Sequence, residues 1–564
     1  MRNKKILIIV SGIVLLVSIG FYMLPWFSGK VWIDPPETLV TIPEALETPD
    51  GAKKPKICGE KAHIWSGKSE IDGVEIRESL RCEPDNPWGV ASFVKGTNNV
   101  SMMTLMKTRL ASDAVIKKND RDGDGDPDYI HITLEVSELN GSSPDGEKYL
   151  PTYDIAPGVR PGIWAFTPKT RGMAAINLFS YEAIRDLRPP SPAIRVEQGD
   201  TVIITLENTH YLPHTIHLHG VDHPYITRDG EGNDGVPITD EHPVLPGDSK
   251  SYALKPRQTG TMFYHCHVQT DKHLMMGLQG MFIVEENRPN NWVQTLNVGA
   301  GFVRHPSVAI SESYDHEYDL HYQGIDKELN SIIQTVNDPR LIAQKMNREY
   351  DMTESTMDYF LLNGRSFPYT LKESIIVVKP DDTVKLRIAN GQDEVVSLHT
   401  HGHKATITHY DGVEAPDGAR ITRDVYSLSS AQRLDLSLSA TDDGLHSYGP
   451  GVWLFHNHAE KGISTDGRNP GGDISMIVYQ SFLQENGFPK LQGVDINRFL
   501  DPRFYQGTLP IWEQSKAPQL LGQAGSVTPE LLKVIIAGLI LGLLIGLILW
   551  LFMLLSGSGK EANS

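Results

Sequence analysis

Cysteine is scarce in this sequence, with three residues in a chain of 564. A fold held together by many disulfides is therefore excluded. Cys58 and Cys82 bracket a polar, turn-rich stretch, and we expect them to form a disulfide, a bond that persists in oxidising compartments. That pairing leaves Cys266 as the odd thiol, which in such a compartment calls for a function.

Positive charge is also in deficit, with 52 Lys and Arg against 70 Asp and Glu and a formal net charge of −18. This balance argues against nucleic acid, or an anionic membrane surface, as the main partner and leaves small reductants and cations. The chain is longer than one hydrophobic core usually serves, so two or more domains are expected.

Long hydrophobic runs occur near the two ends of the chain. Residues 6–24 follow Arg2, Lys4 and Lys5, which predicts a signal peptide or an N-terminal anchor, and the lack of an A-x-A-like site favours an uncleaved anchor. Residues 534–555 carry no charge and are long enough to span a bilayer. Two such spans predict that everything between them lies on the extracytoplasmic side of the cell membrane.

Between these runs, short apolar or alternating segments separated by turn residues predict strands in two successive sets, 129–287 and 288–488. In the first set PAIRVEQGDTVIITLEN precedes HLHG and YHCH, and in the second IIVVKPDDTVKLRIAN precedes HTHG and FHNH. The repeated order indicates an internal duplication. Strands of this length and spacing favour a β-sandwich or barrel.

Four His-x-His pairs occupy equivalent places in the duplication. Residues i and i+2 of a strand point to one face, so each pair presents two imidazoles together. The pairs are His217 with His219, His265 with His267, His399 with His401, and His456 with His458. Cys266 lies inside one pair, with His273 shortly after, and a cysteine with two histidines suits an electron-transfer copper of the blue type.

These motifs resemble those of two-domain multicopper oxidases, laccase-like proteins related to copper nitrite reductases. The matching segments are HTIHLHG at 214–220, the stretch 260–284, HTHG at 399–402 and WLFHNH at 453–458. The resemblance implies an all-β fold of two tandem cupredoxin-like Greek-key β-sandwich domains. The hydrophobic runs would add an N-terminal and a C-terminal transmembrane helix.

Carried over residue by residue, the resemblance implies four coppers per chain. Type 1 copper would be bound by His214, Cys266 and His273, with the non-donor Leu278 in the axial position. Met275 or Met276 is the alternative axial group. The other implied ligands are His217 and His399 at type 2 copper and His219, His265, His267, His401, His456 and His458 at the type 3 pair.

The second set lacks the type 1 ligands. Val396 and Asn457 stand where the first set has His214 and Cys266, so the second domain is expected to complete the cluster without a blue copper. Asp234 resembles the acid that follows the first His motif in the family, which implies proton delivery to oxygen; capping a turn is the alternative.

The implied activity couples one-electron oxidation of a reductant, a phenol or a metal ion, to four-electron reduction of dioxygen to water. Electrons from a small reductant or a partner cupredoxin would enter at Cys266 and pass through His265 and His267. The resemblance also suggests a homotrimer in which the first domain of one chain faces the second domain of its neighbour.

Two other functions compete with this interpretation. A copper nitrite reductase has an Asp where this chain has His217, and the residue after its Cys is not a cluster ligand, whereas here it is His267. A membrane-tethered copper-binding electron-transfer protein needs only the type 1 site and leaves the four His pairs unexplained.

Residues 119–128, NDRDGDGDPD, have acids at alternate positions, as calcium loops do. The acids are Asp120, Asp122, Asp124, Asp126 and Asp128. A strand-like run follows instead of a helix, so structural calcium in a turn is the prediction and a solvated acidic turn is the alternative.

The predicted layout has six parts. They are the membrane anchor or signal (1–28), an extension with the disulfide and the calcium loop (29–128), the first cupredoxin domain (129–287), the second (288–488), a linker (489–532) and the C-terminal transmembrane helix (533–556).

Overall fold

The computed structural model describes four short strands between 63 and 81, and then residues 111–509 with gaps at 112, 125, 143–151, 171–187, 289–290, 292, 304–305, 308–311 and 313. Of these residues, Gly493–Arg498 and Leu509 belong to one unit and the remainder to a second unit. The predicted Cys58–Cys82 pair and both hydrophobic runs lie outside the described residues. Within the described part, no helix has the length and apolar character needed to cross a membrane.

Two small antiparallel sheets come first in the chain. Their strands are β1 (His63–Ser66) with β4 (Ser79–Arg81), and β2 (Ser69–Ile71) with β3 (Val74–Ile76).

The first sandwich consists of two sheets. Its strands are β5 (Val115–Lys118), β6 (Tyr129–Leu139), β7 (Ile163–Pro168), β8 (Ala193–Glu197), β9 (Thr201–Glu207), β10 (His217–His219), β11 (Ser249–Leu254), β12 (Gly260–His265), β13 (Gln279–Glu285) and β14 (Leu296–Asn297). One sheet has the order β11-β9-β6-β5 with β7 on β6, and the other β10-β12-β13-β8-β14. β5 and β14 lie outside the range 129–287 predicted for this domain and pair with strands inside it.

The second sandwich is built in the same way. Its strands are β15 (Gly301–Phe302), β16 (His316–Ile325), β17 (Tyr359–Leu362), β18 (Ile376–Val378), β19 (Thr383–Asn390), β20 (Val396–Thr400), β21 (Ala405–Tyr410), β22 (Val413–Glu414), β23 (Ile421–Arg423), β24 (Val425–Leu428), β25 (Arg433–Ser439), β26 (Val452–Asn457) and β27 (Ser475–Tyr479). The sheets have the orders β15-β16-β19-β25-β21-β22, with β17 on β16 and β23 on β21, and β18-β27-β26-β20-β24.

The same pairings recur in both sandwiches. β6 runs parallel to β9 and β8 to β13 in the first, as β16 does to β19 and β18 to β27 in the second. Strand alternation is visible in β9, where buried and half-buried residues alternate along its whole length. The predicted all-β class, with two successive sets of strands, is confirmed.

Helices are short and connect the strands. They are α1 (Thr270–His273), α2 (Lys327–Thr335), α3 (Pro339–Gln344), a π-helical turn (Lys345–Glu349), α4 (Thr370–Glu373), α5 (Pro502–Tyr505) and single 3₁₀ turns at Met352–Glu354, Asp417–Ala419, Glu460–Ile463, Gln480–Phe482 and Ile496–Arg498. The Asp326 side chain caps α2 by accepting a hydrogen bond from the amide of Leu329. The apolar face of α2 packs into the core of the first sandwich, so this helix belongs to that core although it lies within the range 288–488 predicted for the second domain.

The two sandwiches pack sheet against sheet, with β12 and β13 facing β16, β19 and β25. A buried apolar cluster lies in this contact, formed by Ala193, Phe263, Met281, Ile283 and Ala389. One face of β12 therefore meets the second sandwich, while its carboxyl end leads to Cys266.

A buried ion network lies beside that cluster. Arg195 pairs with Glu285 at 3.3 Å and with Glu317 at 3.0 Å, and Arg387 pairs with Glu285 and Asp435 at 2.8 Å each. Buried charges are tolerated only when paired in this way, so the network fixes how the sheets face each other.

Candidate metal centre

A buried thiol and two imidazoles converge at the carboxyl end of β12. The Sγ atom of Cys266 lies 3.3 Å from Nδ1 of His273 and 3.7 Å from Nδ1 of His214. All three side chains are at least 97% buried. The structure thus brings together the three residues predicted to bind type 1 copper.

Local backbone structure explains this convergence. His214 is fixed by reciprocal backbone hydrogen bonds with Val244, of 3.1 and 2.9 Å. After Cys266 the chain turns through α1, which brings His273 back over the thiol, and the Cys266 amide donates to the carbonyl of Leu278 at 3.0 Å. Gly277 permits this return: its φ is +113°, and a Cβ atom there would lie 2.3 Å from a backbone oxygen. Leu278 is fully buried, and its axial role stays a prediction.

The first-domain imidazoles form one half-site. His217 on β10 is the antiparallel partner of His265 on β12, and their ring centroids are 5.2 Å apart. The rings of His267 and His219 lie 5.3 and 6.0 Å from that of His217. Ring nitrogens of His217, His219 and His265 all lie within 4.8 Å of one another, close enough for a shared metal ion.

The second-domain imidazoles form a matching half-site. His399 on β20 is the antiparallel partner of His456 on β26, with ring centroids 5.9 Å apart. The ring of His458 is 5.6 Å from that of His399, and the Nε2 atoms of His401 and His456 are 3.3 Å apart. The side chain of His458 is 54% exposed, so this half-site is open to solvent.

Backbone carbonyl groups orient the imidazoles identically in the two half-sites. The Nδ1 contacts are His217 to Asp234 O at 2.7 Å, His399 to Asp424 O at 2.9 Å, His265 to Cys266 O at 3.0 Å and His456 to Asn457 O at 3.0 Å. A carbonyl oxygen only accepts, so Nδ1 must carry the hydrogen, and Nε2 keeps its lone pair. Imidazoles held this way are ready to ligate a metal through Nε2.

The electrostatics fit a bound cation. Burial lowers the pKa of His265 and of His273 to about 3, and burial together with the nearby Arg433 lowers that of His219 to about 4, so these imidazoles are neutral. Burial raises the pKa of Cys266 to about 12, so the thiolate needs a cation to exist there at neutral pH. Neutral imidazoles around such a thiol match the donor set of a blue copper site.

Asp234 lies against the first half-site. Its Oδ1 is 3.2 Å from Nδ1 of His217 and 3.0 Å from Nε2 of His223. The His223 side chain is partly exposed, so a chain of polar atoms runs from solvent to the His217 imidazole. Asp234 thus lies between His223 and the first half-site, and its role in proton delivery stays a prediction.

Several other side chains surround the thiol cluster. His210 Nδ1 lies 2.8 Å from Nε2 of His214, the nitrogen that faces away from the thiol. Glu138 accepts hydrogen bonds from Trp164 Nε1, at 2.9 Å, and from the Tyr211 hydroxyl, and its carboxylate is 3.6 Å from His210. Nothing in the alternation of β6 distinguishes Glu138, because only tertiary packing brings it here.

Two family models, both described as multicopper oxidase, match residues 186–289 and 341–465. The first match contains Cys266 and its neighbours, and the second contains the second-domain imidazoles. In these two segments the chain is similar to multicopper oxidases, as the sequence motifs predicted. This similarity supports copper as the cofactor, as predicted, while the assignment of individual ligands stays a prediction.

Individual relatives cover part of the chain. Copper resistance protein A of Escherichia coli is 23% identical over 261 residues, which is 44% of this chain and 41% of that protein. Iron transport multicopper oxidase FET3 of Gibberella zeae is 24% identical over 316 residues, 51% of this chain and 44% of that protein. The chain thus spans less than half the length of these curated multicopper oxidase relatives.

Solved multicopper oxidase structures are similar at the same level of identity. The blue copper oxidase of Nitrosomonas europaea is 23% identical with a TM-score of 0.45, over 67% of this chain and 94% of that chain. The multicopper oxidase mgLAC is 23% identical with a TM-score of 0.46, over 69% of this chain and 95% of that chain.

The predicted calcium ligands separate into two groups. One group is Asp120, Asp122 and Asp128, and the other is Asp124 and Asp126 together with Glu197. Calcium binding by the loop stays a prediction.

Proposed function

We propose that the protein couples one-electron oxidation of a reductant to the four-electron reduction of dioxygen to water. The observation that carries this proposal is the pairing of a Cys266 cluster with an adjoining imidazole half-site, repeated without the thiol in the second domain. When bound, copper supplies the redox chemistry. The protein holds the donors in place.

The backbone gives electrons a short path between the two kinds of site. Cys266 contributes its thiol to the His214 and His273 cluster, while its neighbours His265 and His267 contribute imidazoles to the half-site. The Nδ1–H of His265 donates to the carbonyl of Cys266 at 3.0 Å, which ties the imidazole to the residue that carries the thiol. One peptide unit on either side thus connects the place of electron entry to the place of oxygen reduction.

Protons for water formation would come through Asp234. Its carboxylate bridges His223, on the solvent side, and His217, in the half-site, at 3.0 and 3.2 Å. Nδ1 of His217 already carries a hydrogen, so the Asp234 carboxylate would take up a proton from the solvent side and give it to oxygen reduced at the half-site, while His217 only orients it.

The reductant we propose is a phenol or a metal ion, or a partner cupredoxin acting as electron donor. We further propose that the chain is tethered by its two hydrophobic runs and acts on the extracytoplasmic side of the cell membrane. Each chain offers two half-sites of four imidazoles, and the exposure of His458 supports their completion by a neighbouring chain in a homotrimer. Sedimentation of the copper-loaded protein tests the trimer, because each chain has a mass of 62.7 kDa.

Copper content tests the proposed function. Elemental mass spectrometry against amino-acid analysis on purified, copper-loaded protein should give four coppers per chain, and oxygen uptake should then follow addition of a suitable donor. Two coppers per chain would point to the nitrite-reductase arrangement, and one copper to an electron carrier. Either of those counts would overturn the proposal.

A further inference from the structure

The acidic loop 119–128 packs against the turn between β8 and β9. The amide of Asp128 donates to the carbonyl of Asn119 at 2.9 Å, which closes the loop at its base. The amide of Thr201 donates to the carbonyl of Asp128 at 2.7 Å, which attaches the loop to the start of β9. Residues far apart in sequence are thereby held side by side.

Part of the loop's acidity serves the turn itself. Asp120 Oδ1 accepts hydrogen bonds from the amides of Gly123 and Asp124, at 2.7 and 3.1 Å. Asp128 Oδ2 accepts from the amides of Arg121 and Asp122. These carboxylates act as local caps of the kind that Asp supplies in turns, and they need no ion for that role.

The other acids of the loop point away from solvent. Asp124, Asp126 and Glu197 are each 4% exposed, and one carboxylate oxygen from each lies within 4.8 Å of the others. Asp200 is equally buried and accepts a hydrogen bond from the Glu197 amide at 2.7 Å. The group joins two loop residues to the end of β8, so it is not the ligand set of a continuous calcium loop.

One oxygen of this group has no hydrogen-bond partner in the part of the chain that the structure describes. Asp124 Oδ1 accepts from the amide of Asp126 at 3.1 Å, but Oδ2 is buried and has no hydrogen-bond partner among the described residues. Burying a carboxylate oxygen without a partner is costly. A cation in contact with Oδ2 would remove that cost.

Asn291 holds the other two carboxylates, those of Asp126 and Glu197, in fixed orientations. The Asn291 amide donates to Asp126 Oδ2 at 2.8 Å, and its side-chain Nδ2 donates to Glu197 Oε1 at 2.6 Å. Asn291 is itself 5% exposed. Carboxylates oriented by hydrogen bonds to buried donors form a prearranged ligand set of the kind seen around bound metals.

The charges in this group do not balance. Four buried carboxylates stand against the ammonium of Lys117, whose charge acts on Asp126, Glu197 and Asp200. One ammonium cannot neutralise four carboxylates, so the buried group can accommodate a further positive charge.

We propose that Asp124, Asp126 and Glu197 bind a Ca²⁺ ion that fastens the acidic loop to the end of β8. Oxygen-only donors select hard cations, and a set drawn from a loop and a strand suits the flexible geometry of Ca²⁺ better than the strict octahedron of Mg²⁺. This site is separate from the copper donors and does not depend on the proposed oxidase activity.

Calorimetric titration of the copper-loaded full-length protein with CaCl₂, and separately with MgCl₂, tests the proposal. We expect Ca²⁺ binding that is weakened at least about 10-fold in Asp124→Asn, the smallest loss typical even for an outer partner of a metal ligand. The matched control is Asp122→Asn, an exposed acid of the same loop outside the buried group. We expect it to change affinity by less than about 5-fold, as a screened surface charge does.

Thermal unfolding separates loss of the site from loss of the fold. In the presence of chelator, Asp124→Asn should melt no lower than the parent, because the amide removes a buried, unpaired charge. Added Ca²⁺ should then raise the melting temperature of the parent and of Asp122→Asn but not of Asp124→Asn. Absence of Ca²⁺ binding by the parent, equal binding by Asp124→Asn, or binding of Mg²⁺ in preference to Ca²⁺ would overturn the proposal.

Discussion

The two sandwiches of this chain arrange their paired histidines in the same way but differ in the buried residue beside them. His217 faces His265 across one strand pair, as His399 faces His456 across the other. In both, the Nδ1–H of the first imidazole donates to the carbonyl of an aspartate, at 2.7 and 2.9 Å. Strand register and backbone carbonyls, which duplication preserves, are therefore enough to build an imidazole half-site.

The difference lies one residue further along the strand. Cys266 faces two imidazoles, whereas Asn457 accepts hydrogen bonds from the amides of Ser397 and Ala459, both at 3.0 Å, and donates to Asp473 at 3.4 Å. Burial raises the pKa of Asp473 to about 7. In the second sandwich, a network of hydrogen-bonded polar side chains occupies the position equivalent to the thiol site. Because the strand pairing is the same in both sandwiches, the side chains determine whether a thiol site is present.

The largest expected effect comes from replacing Cys266, in comparison with the same replacement of Asn457. Cys266→Ser should abolish the visible absorption, remove one copper per chain and lower oxidation of an external donor by at least about 10⁴-fold, because electrons lose their point of entry. Absorption spectra, copper analysis and oxygen uptake measure the three effects. Asn457→Ser makes the matching change in the second sandwich and should alter none of them. Retained turnover in Cys266→Ser would contradict the assignment.

The second prediction concerns the contact that fixes the two interiors relative to each other. Arg195→Met leaves the buried carboxylate of Asp319 without its guanidinium partner, while Glu317 keeps Arg387, so the free energy of unfolding should fall by ~3–5 kcal/mol. Denaturant unfolding monitored by fluorescence measures this change. Arg340→Met, at an exposed arginine paired with Asp338, is the control and should leave the midpoint unchanged. An equal decrease in the free energy of unfolding in both variants would show that the buried ion network contributes no more to stability than an exposed ion pair does.

A third prediction compares the two aspartates that orient imidazoles. Asp234 uses its backbone carbonyl toward His217 and also places its carboxylate 3.0 Å from His223, so Asp234→Asn should slow oxygen reduction by about 10²-fold. Asp424 uses its backbone carbonyl toward His399, which Asp424→Asn preserves. We expect that variant to keep the parent rate. Copper content should stay at the parent value in both, and a similar rate loss in the two variants would assign Asp234 to positioning alone.

Sequence reasoning reached the parts of the site that depend on local geometry. The four His pairs follow from the two-residue period of strands, and the structure places each pair in a half-site. His273 follows Cys266 shortly in sequence and could be associated with it directly, whereas His214, 52 residues before Cys266, could be joined to it only through the family resemblance. The all-β class followed from strand length and turn spacing.

Other parts depend on tertiary packing and leave no signal in the sequence. Glu138 and Trp164 come to the thiol cluster from two different strands, and Glu197 joins the acidic loop from the end of a third. Alternation along a strand indicates which side chains are buried but not which residue of another strand they meet. For the same reason, the sequence does not indicate which acids of the loop cap the turn and which belong to the buried group.

The smallest expected effect tests how strongly each sandwich buries its imidazoles. Burial lowers the folded-state pKa of His265 from 6.5 to about 3, so between these values the unfolded chain binds a proton that the folded protein does not. Stability contributed by the neutral imidazole is therefore present above pH 6.5 and is lost as pH falls, by about 2 kcal/mol at pH 5. In metal-free protein, His265→Gln should flatten the decline of unfolding free energy between pH 6.5 and 5 by about that amount, as measured by urea unfolding at a series of pH values.

The variant His456→Gln makes the same test in the second sandwich. Burial lowers the pKa of His456 as well, so the decline of unfolding free energy with falling pH should also be flatter in this variant. An unchanged slope in His265→Gln would show that burial does not lower the pKa of this imidazole in the folded protein.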